Sequence, residues 1–379
     1  MKVPRVRIRS ANKAPVNESG DYVLYWMTAY RRPEWNFALD RAIEAAHHLG
    51  KGLVVLEALR VGYQWASDRH HAFILEGMVD NAAAFAESSV VYFPYVEPRV
   101  GDGKGLLEAL SGKACMVVTD DFPAFMLPKM TDAAAAKIGV RMERVDSNGI
   151  YPMRHTDRVF SRAHDFRRHL QKTIAPHLLE FPNPNPLHGL ALPKPTLPDV
   201  SRWPKADVAQ ITTSAFLASL PIDHSVTRAE DRGGFVAARE RLAAWVTDGL
   251  PRYGVDRNHP DTDASSRLSF WLHFGQLSAH ERPSCAVTDG TGWAPDHVAP
   301  KASGSREGWW TRLTMSRASS TSGSRGARSG FMCARFAPMI TTGSSRCPTG
   351  ATNTGEHADD PREYVLLEEF EQAGTHDPT

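Results

Sequence analysis

The chain has few cysteines and no long apolar run. Its four cysteines are too few and too scattered for a disulfide framework or a zinc ribbon: Cys115, Cys285, Cys333 and Cys347. No stretch approaches the roughly 18 apolar residues of a membrane-spanning helix. The basic start has no apolar segment behind it, which excludes a secretory signal. We therefore expect a soluble, cytoplasmic protein that spans no membrane. We also expect a monomer without a metal site.

An excess of charge of one sign is also lacking. Lys and Arg total 44 against 43 Asp and Glu, a formal net charge of +1 in 379 residues. Whole-chain electrostatics therefore give no reason to expect nucleic acid or an acidic partner, and any such partner must meet a local patch. The glycine-rich fingerprints of dinucleotide-binding and P-loop proteins are missing too, since the glycines at 101–105 fit neither spacing.

What is present over residues 1–150 is an alternation of short apolar runs and Ala-rich segments with helical spacing. The runs predict buried strands at 22–27, 52–58, 90–95, 115–119 and 140–145. The segments between them predict helices at 36–48, 72–86, 105–110 and 131–138. This alternation is typical of an α/β fold with a doubly wound, Rossmann-like parallel sheet. Because ligands bind such sheets outside the carboxyl ends of the strands, the loops at 27–32 and 119–122 are predicted to face a ligand.

Residues 151–225 are rich in proline and are predicted to form a connector. Within it, residues 157–179 could hold one basic helix, for which a solvated face and a nucleic-acid contact are both open. Its cations are interleaved with aromatic and apolar residues: Arg158, Arg162, Arg167, Arg168, His169 and Lys172 among Phe160, Phe166 and Leu170. A helix is then predicted at 237–247, ending near Gly249, with a polar loop at 253–258.

Residues 308–355 contain no Asp or Glu, where proportion would give about five. Residues 316–330 consist only of Ser, Arg, Gly, Ala and Thr and carry no apolar period. Disorder is one interpretation. A shifted reading frame is the other, because the codons of residues 318–321 can hide Phe-Leu-Asp-Glu in the neighbouring phase.

Two sets of residues are ordered as in a known family. The first comprises residues 23–27, Arg31, Arg32 and 35–39. The second and more specific set comprises Gly233, Gly234, Arg241, Leu242, Tyr253, Arg257, Asn258, Leu268, Ser269 and 272–279. Together these motifs resemble class II cyclobutane pyrimidine dimer photolyases, over roughly residues 1–310.

The resemblance implies an architecture and an activity. It implies an α/β antenna domain at 1–150, the connector at 151–225 and the start of an all-helical FAD-binding domain at 226–310, followed by the acid-free segment at 311–355 and a family-like tail at 356–379. In that family, light-excited reduced FAD donates an electron to a pyrimidine dimer in DNA, the ring splits and the electron returns. Some members also hold a deazaflavin-type antenna chromophore.

The resemblance also implies site residues, although it identifies no catalytic one. The positions that match FAD contacts are Tyr253, Ser265, Ser266, Arg267, Leu268 and Ser269. Arg257 and Asn258 match a role near DNA. Each has a plainer interpretation: Tyr253 as a packed helix aromatic, Ser265 and Ser266 as a helix N-cap, and the Arg257–Asn258 pair as a helix end.

The chain departs from the family after Trp310, where the resemblance places a Glu-bearing helix and this chain has the acid-free segment. It also ends where the family continues with most of its flavin-enclosing helices. From these departures we expect weak or absent FAD binding and little repair. Two alternatives stay open: a non-repairing, cryptochrome-like flavoprotein, and an inactive remnant whose α/β domain folds alone with a protease-resistant core ending near residue 150.

Overall fold

The computed structural model describes residues 2–256, 259, 261–262 and 264–281. A six-stranded sheet forms its centre, in the order β1-β6-β5-β2-β3-β4. The strands are β1 (Ile8–Ser10), β2 (Tyr22–Met27), β3 (Gly52–Leu59), β4 (Val91–Val96), β5 (Ala114–Asp120) and β6 (Arg141–Val145). The helices between them are α1 (Phe37–Leu49), α2 (Asp68–Ala86), α3 (Leu106–Ser111) and α4 (Leu127–Lys137).

The α/β prediction is confirmed. Strands β2 to β6 are parallel, and β2 lies between β3 and β5 as the first strand of both halves of the sheet. Every strand and helix predicted over residues 1–150 is found, with ends that move by a few residues. Strand β1 was not predicted: it has three residues, carries Arg9 and is at most half-buried, so it has no apolar signal, yet it pairs antiparallel with β6.

The two faces of the sheet follow the alternation of β2, as expected when helices cover both sides. Val23, Tyr25 and Met27 point into a core with α1. Tyr22, Leu24 and Trp26 point into a second core with α3 and α4. Helix α1 begins at Asn36, whose side-chain oxygen accepts from the amides of Ala38 and Leu39, and ends at Gly50 in the left-handed conformation.

The connector is packed along the α/β domain. Its residues Leu187, Leu190 and Leu192 join the α1 core. Trp203 is buried in the opposite core. Ile211, Leu217 and Leu220 complete a third apolar cluster against α2. The apolar faces of the sheet and of α2 are therefore closed by chain that follows the last strand by about 40 to 75 residues.

The predicted basic helix at 157–179 is shorter than expected. Helix α5 spans Ala163–Thr173, and a single 3-10 segment follows at Ala175–Leu179. Pro176 lies at the start of that segment, where its missing amide proton is tolerated. His169, which the sequence groups with the cations, lies on the half-buried face of α5.

The connector ends with the short helix α6 (Ser214–Ala218), and the helical part begins with α7 (Phe235–Ala244), which continues through a π turn at Trp245–Gly249 into α8 (Leu250–Asp256). Helix α9 (Ser269–His273) follows. The prediction that the helix ends at Gly249 is wrong. Gly249 is needed there for packing, because a Cβ on it would stand 2.4 Å from Cδ1 of Trp245. Residues 253–256, predicted as a polar loop, belong to α8.

Several predictions fall outside the described residues: Arg257, Asn258, three of the four cysteines, and the segments at 311–355 and 356–379. Within the described part of the chain, no helix combines the length and the apolarity that crossing a membrane requires.

Candidate flavin and switch-point sites

The point where the strand order reverses, between β2 and β5, is filled by a carboxylate of the chain itself. Oδ2 of Asp120 accepts hydrogen bonds from the amides of Thr28 at 2.8 Å, Ala29 at 2.6 Å and Tyr30 at 2.9 Å. Oδ1 accepts one from the hydroxyl of Tyr25 at 2.8 Å. Successive backbone amides of this kind form an anion-binding concavity, and in nucleotide-binding sheets a phosphate takes such donors.

Asp120 is fully enclosed, and its charge is controlled by its surroundings. Burial raises the pKa of Asp120, while the bonds from the amides of Ala29 and Tyr30 oppose that rise. Burial also raises the pKa of Tyr25 well above its ordinary value, so this phenol stays a donor to Asp120. Nδ2 of Asn36 completes the chain of bonds by donating to the Tyr25 hydroxyl at 3.0 Å. The same Asn36 caps α1, so this helix start and the carboxylate are fixed together.

The loops at 27–32 and 119–122 are therefore not the ligand-facing loops that the sequence predicts. Most of their residues are buried, and the segment 272–279 covers them. The guanidinium of Arg32 donates to the carbonyl of Gly275 at 2.8 Å. Gly275 has φ +68°, and a Cβ on it would stand 1.8 Å from the carbonyl oxygen of Ala29. This close approach explains the glycine in the Leu-His-Phe-Gly-Gln-Leu-Ser-Ala motif.

Gln276 ties the same segment to α2. Its Nε2 donates to the carbonyl of Phe73 at 3.0 Å, and its Oε1 accepts from the amide of Gly234 at 2.7 Å. Gly77 of α2 leaves the room that this side chain needs, because a Cβ there would stand 2.4 Å from Nε2 of Gln276. The motif residues thus hold the first helical elements against the α/β domain.

A second buried carboxylate, Glu57 of β3, lies beside this region. It forms an ion pair with Arg31 at 2.9 Å and accepts hydrogen bonds from Asn81 at 2.8 Å and the hydroxyl of Tyr92 at 2.6 Å. A buried carboxylate with three partners is compensated for its loss of hydration. We interpret Glu57 as a structural anchor for the loop that carries Arg31.

The predicted FAD contacts lie around one indole ring. The ring of Tyr253 on α8 meets the ring of Trp245 nearly at right angles, with centroids 5.8 Å apart. Nε1 of Trp245 donates to the carbonyl of Ala264 at 3.1 Å, which fixes the start of the 264–268 loop. Nε of Arg241 donates to the carbonyl of Ser266 at 3.0 Å. The structure therefore brings both Tyr253 and the start of the Ser-containing loop into contact with Trp245.

Within that loop, side chains differ in what they offer to a ligand. Leu268 is buried in the apolar cluster that includes Trp245 and Trp271. Ser265, Arg267 and Ser269 are exposed, and Ser266 is half-buried. Arg267 has φ +54°, an uncommon conformation for a residue with a side chain. The exposed residues supply two hydroxyls and a guanidinium on one short stretch.

The plainer interpretations of these residues have different outcomes. Ser265 and Ser266 do not cap α9, because that helix has Leu268 at its N-cap and no side-chain cap bond. Tyr253 is half-buried and packed, as its plainer interpretation predicts, although its position beside the loop is also what the FAD prediction requires. Arg257 and Asn258 cannot be placed, since they lie outside the described residues.

The donor set fits the pyrophosphate part of FAD. Hydroxyls and a guanidinium are suited to phosphate oxygens, and the loop that bears them is fixed by bonds from Arg241 and Trp245. The described residues contain no cluster of His, Cys, Asp and Glu that could hold a metal ion. The arrangement can bind and orient an anionic group, and none of its described side chains is set as an acid–base pair.

Comparisons with known proteins agree with this architecture. No protein-family model matches the chain. The chain is 28% identical over 376 residues to a protein named deoxyribodipyrimidine photo-lyase from Methanothermobacter thermautotrophicus, covering 98% of this chain and 75% of that protein. It is also 28% identical over 282 residues to a protein of the same name from Potorous tridactylus, covering 72% of this chain and 49% of that protein.

Among solved structures, the chain is similar to a bacterial class III photolyase from Agrobacterium tumefaciens. The TM-score is 0.53 at 17% identity, covering 78% of this chain and 58% of that one. The chain thus spans about half to three quarters of the lengths of these proteins. The likeness to the solved structure shows a shared fold, and the two relatives show sequence similarity to proteins named deoxyribodipyrimidine photo-lyase.

Proposed function

We propose that the chain derives from a light-dependent DNA photolyase of class II, which acts on cyclobutane pyrimidine dimers with FAD as its cofactor. The observation that carries the proposal is the match to a photo-lyase over 98% of the chain. The order of the residues around Tyr253 and 265–269 supports the class. DNA containing a pyrimidine dimer is the proposed partner, and a monomer is the proposed state.

The chain's own residues have binding and positioning roles. Ser265, Arg267 and Ser269 would hold the phosphates, and Tyr253 would border the cofactor beside Trp245. The chemistry that FAD supplies when bound is the donation of one electron in light. A dimer must leave the base stack to come near it, which a lesion does at lower cost than a normal base pair.

We propose that a deazaflavin-type antenna, as the resemblance allows, does not bind through the three amides at the switch point, because Asp120 already accepts hydrogen bonds from them. An antenna chromophore, if this chain holds one, would need another surface. The proposal therefore does not depend on it.

We also propose that repair is impaired by the acid-free segment at 311–355, since the resemblance implies a Glu-bearing helix there. The test compares the chain as it stands with one whose codons for residues 308–355 are read in the neighbouring phase. Both are loaded with FAD, and splitting of a dimer-containing oligonucleotide is measured in light and in darkness. We expect the re-encoded chain to retain more flavin and to repair faster in light only.

A matched pair of variants tests the FAD contacts. Ser265→Ala removes an exposed hydroxyl of the loop, and we expect it to weaken FAD binding roughly tenfold, as loss of one hydrogen bond to a charged group does. Ser161→Ala removes an exposed hydroxyl from the connector and should leave the Kd for FAD unchanged.

The repair assay also tests the alternatives. If the chain as it stands or the re-encoded chain retains flavin but does not split the dimer, the cryptochrome-like alternative is favoured. If the re-encoded chain neither retains flavin nor splits the dimer in light, the proposal is contradicted.

A further inference from the structure

Helix α5 in the connector has two faces of different character. Its exposed residues are His164, Arg167, Arg168, Gln171 and Lys172, with Ala163 at the first position. Its half-buried residues are Asp165, Phe166, His169, Leu170 and Thr173. At about 100° per residue, the five exposed residues from His164 onward fall within one arc of roughly 140°. The helix therefore presents a basic face outward and an apolar face inward.

The inner face is fixed by contacts within the connector. The hydroxyl of Tyr151 lies 3.1 Å from Nε2 of His169 and 2.8 Å from Oγ1 of Thr173. The ring of Phe160 meets those of Phe166 and His169, with centroids 5.4 and 5.0 Å away. These contacts hold α5 in place, so its outward cations are positioned by the fold.

Positive charge is concentrated here in a chain that is otherwise balanced. Residues 154–172 contain six Arg and Lys against two Asp, whereas the whole chain has a net charge of +1. Arg154 forms an ion pair with Asp121 at 2.9 Å. Arg162, Arg168 and Lys172 have no ion pair with any residue that the structure describes. These three exposed side chains define what we name the connector cationic face.

We propose that the connector cationic face binds the phosphate backbone of duplex DNA, outside the lesion pocket and independently of base sequence. The inference rests on the proposed function for its partner. Arg168 and Lys172 lie on the outward arc of α5, four residues apart, and Arg162, an exposed side chain at the N-cap, lies ten residues or about 15 Å from Lys172 along the helix. At about 3.4 Å per phosphate along one strand, this length spans about four phosphates. Cations at this spacing add salt-dependent affinity for any duplex.

The same geometry argues against an anionic lipid surface as the partner. A helix that lies in a membrane interface buries its apolar face in the lipid. In α5 that face, with Phe166 and Leu170, is turned toward Phe160 and Tyr151. Only the charged face is offered to a partner, which suits a hydrated polyanion.

The experiment measures binding of the full chain to a labelled, undamaged duplex by fluorescence anisotropy over a series of salt concentrations. The variant is Arg162→Gln with Arg168→Gln and Lys172→Gln. Each phosphate contact contributes about 0.9 to the slope of log K against log salt. We expect the variant to lower the magnitude of that slope by about two to three and to weaken binding at low salt at least tenfold.

The control removes the same charge elsewhere, with Lys104→Gln, Lys113→Gln and Lys129→Gln, which are exposed on the α/β domain. Its slope should stay within about 0.5 of that of the unchanged chain. A second variant, Gln171→Lys, adds one cation to the exposed face of α5 and should steepen the slope by about one. Because Gln171→Lys is an exposed substitution with the opposite expected sign, it keeps the test valid if the triple variant fails to fold.

Equal slopes for the unchanged chain and the triple variant would overturn the inference, as would equal losses in the variant and the control. Absence of any binding by the unchanged chain at low salt would overturn it too. Binding of phosphatidylserine vesicles that is lost in the triple variant, with duplex binding unaffected, would assign the face to a membrane instead. Flavin content and dimer splitting are measured separately. If the chain repairs dimers but the triple variant has the same salt slope as the unchanged chain, only this inference is rejected. If the triple variant has a lower slope but the unchanged chain holds no flavin, only the proposed function is rejected.

Discussion

Asp120 shows at the scale of one residue why this sheet has no glycine-rich phosphate loop. Three amides of the loop after β2 point at one carboxylate oxygen, with distances from 2.6 to 2.9 Å. A phosphate cradle and an internal carboxylate use the same donors, so the chain can have only one of them at this place. The missing glycine-rich fingerprint and the buried Asp120 therefore go together, because the amides that would bind a phosphate bind the carboxylate instead.

Replacing Asp120 should show what the carboxylate contributes. Asp120→Ala leaves three buried amides and the Tyr25 hydroxyl without their acceptor, and we expect it to lower the free energy of unfolding by at least about 3 kcal/mol. Asp120→Asn is the matched control, because its amide oxygen can still accept from the backbone, and it should lose less. Urea unfolding measures both. Equal stability of the two variants would show that the amides do not depend on Asp120.

Asp40 leads to a prediction of how the free energy of unfolding depends on pH. It is buried in α1 and accepts a hydrogen bond from the amide of Asn183 at 2.8 Å. Burial raises the pKa of Asp40 to about 7, with the bond from Asn183 opposing the rise. The fold therefore favours the neutral acid, and this contribution to stability is complete below the unfolded pKa of about 4 and is lost as the pH rises through about 7.

We expect Asp40→Asn, which keeps an acceptor for Asn183 but cannot ionise, to remove that loss. Between pH 5 and pH 8 the unchanged chain should lose on the order of 2–4 kcal/mol more unfolding free energy than the variant. Asp21→Asn, at an exposed carboxylate, should follow the unchanged chain. Urea unfolding at the two pH values measures the difference. Parallel behaviour of all three proteins would contradict an elevated pKa at Asp40.

At the scale of the elements, the sequence predicted strands and helices well and their ends poorly. The five parallel strands are buried runs of β-branched and aromatic residues, which have a strong signal. Strand β1 depends on pairing with β6, which lies far along the chain, and the continuation of α7 through Gly249 depends on the ring of Trp245. No local sequence pattern shows either feature. For the candidate site, the sequence placed Tyr253 and the Ser loop near each other, but missed that Trp245 and Arg241 hold the loop. Burial of the switch-point loops could not be read from the sequence either, because it depends on the contact of Gly275 with Ala29.

Gly249, at the end of the π turn, and Gly254, in α8, give a matched test. Gly249→Ala places a methyl group 2.4 Å from the buried ring of Trp245, so we expect a loss of about 1–3 kcal/mol from overpacking. Gly254→Ala meets nothing within 4 Å on α8 and should be neutral or stabilise by up to about 1 kcal/mol, since alanine favours helix. Thermal unfolding distinguishes them. If both variants unfold alike, the ring contact does not explain the glycine at position 249.

At the scale of the whole molecule, the connector belongs to the α/β domain. Leu178, Trp203, Ile211, Leu217 and Leu220 are all buried. Burying such a side chain contributes about 1.5–3 kcal/mol before the entropy cost of ordering it, so exposing all five would be a large loss against the net stability of a typical domain, about 5–15 kcal/mol.

Two fragments test this assignment. We expect a fragment of residues 1–150 to aggregate or unfold and one of residues 1–225 to fold cooperatively, and limited proteolysis of the full chain should give a core that ends near residue 225. Circular dichroism during thermal unfolding measures the first comparison. A stable, cooperatively unfolding 1–150 fragment would show that the connector's packing adds little.

The packing of the connector has a further consequence during synthesis. The last strand of the sheet ends at Val145, but the chain that closes its apolar faces extends to Leu220. At about 5–20 residues per second, a ribosome needs roughly 4 to 15 seconds to make those 75 residues. For that interval all six strands of the sheet have been synthesised, but the chain that covers their apolar faces has not, so this is the period in which a chaperone would have the most apolar surface to bind.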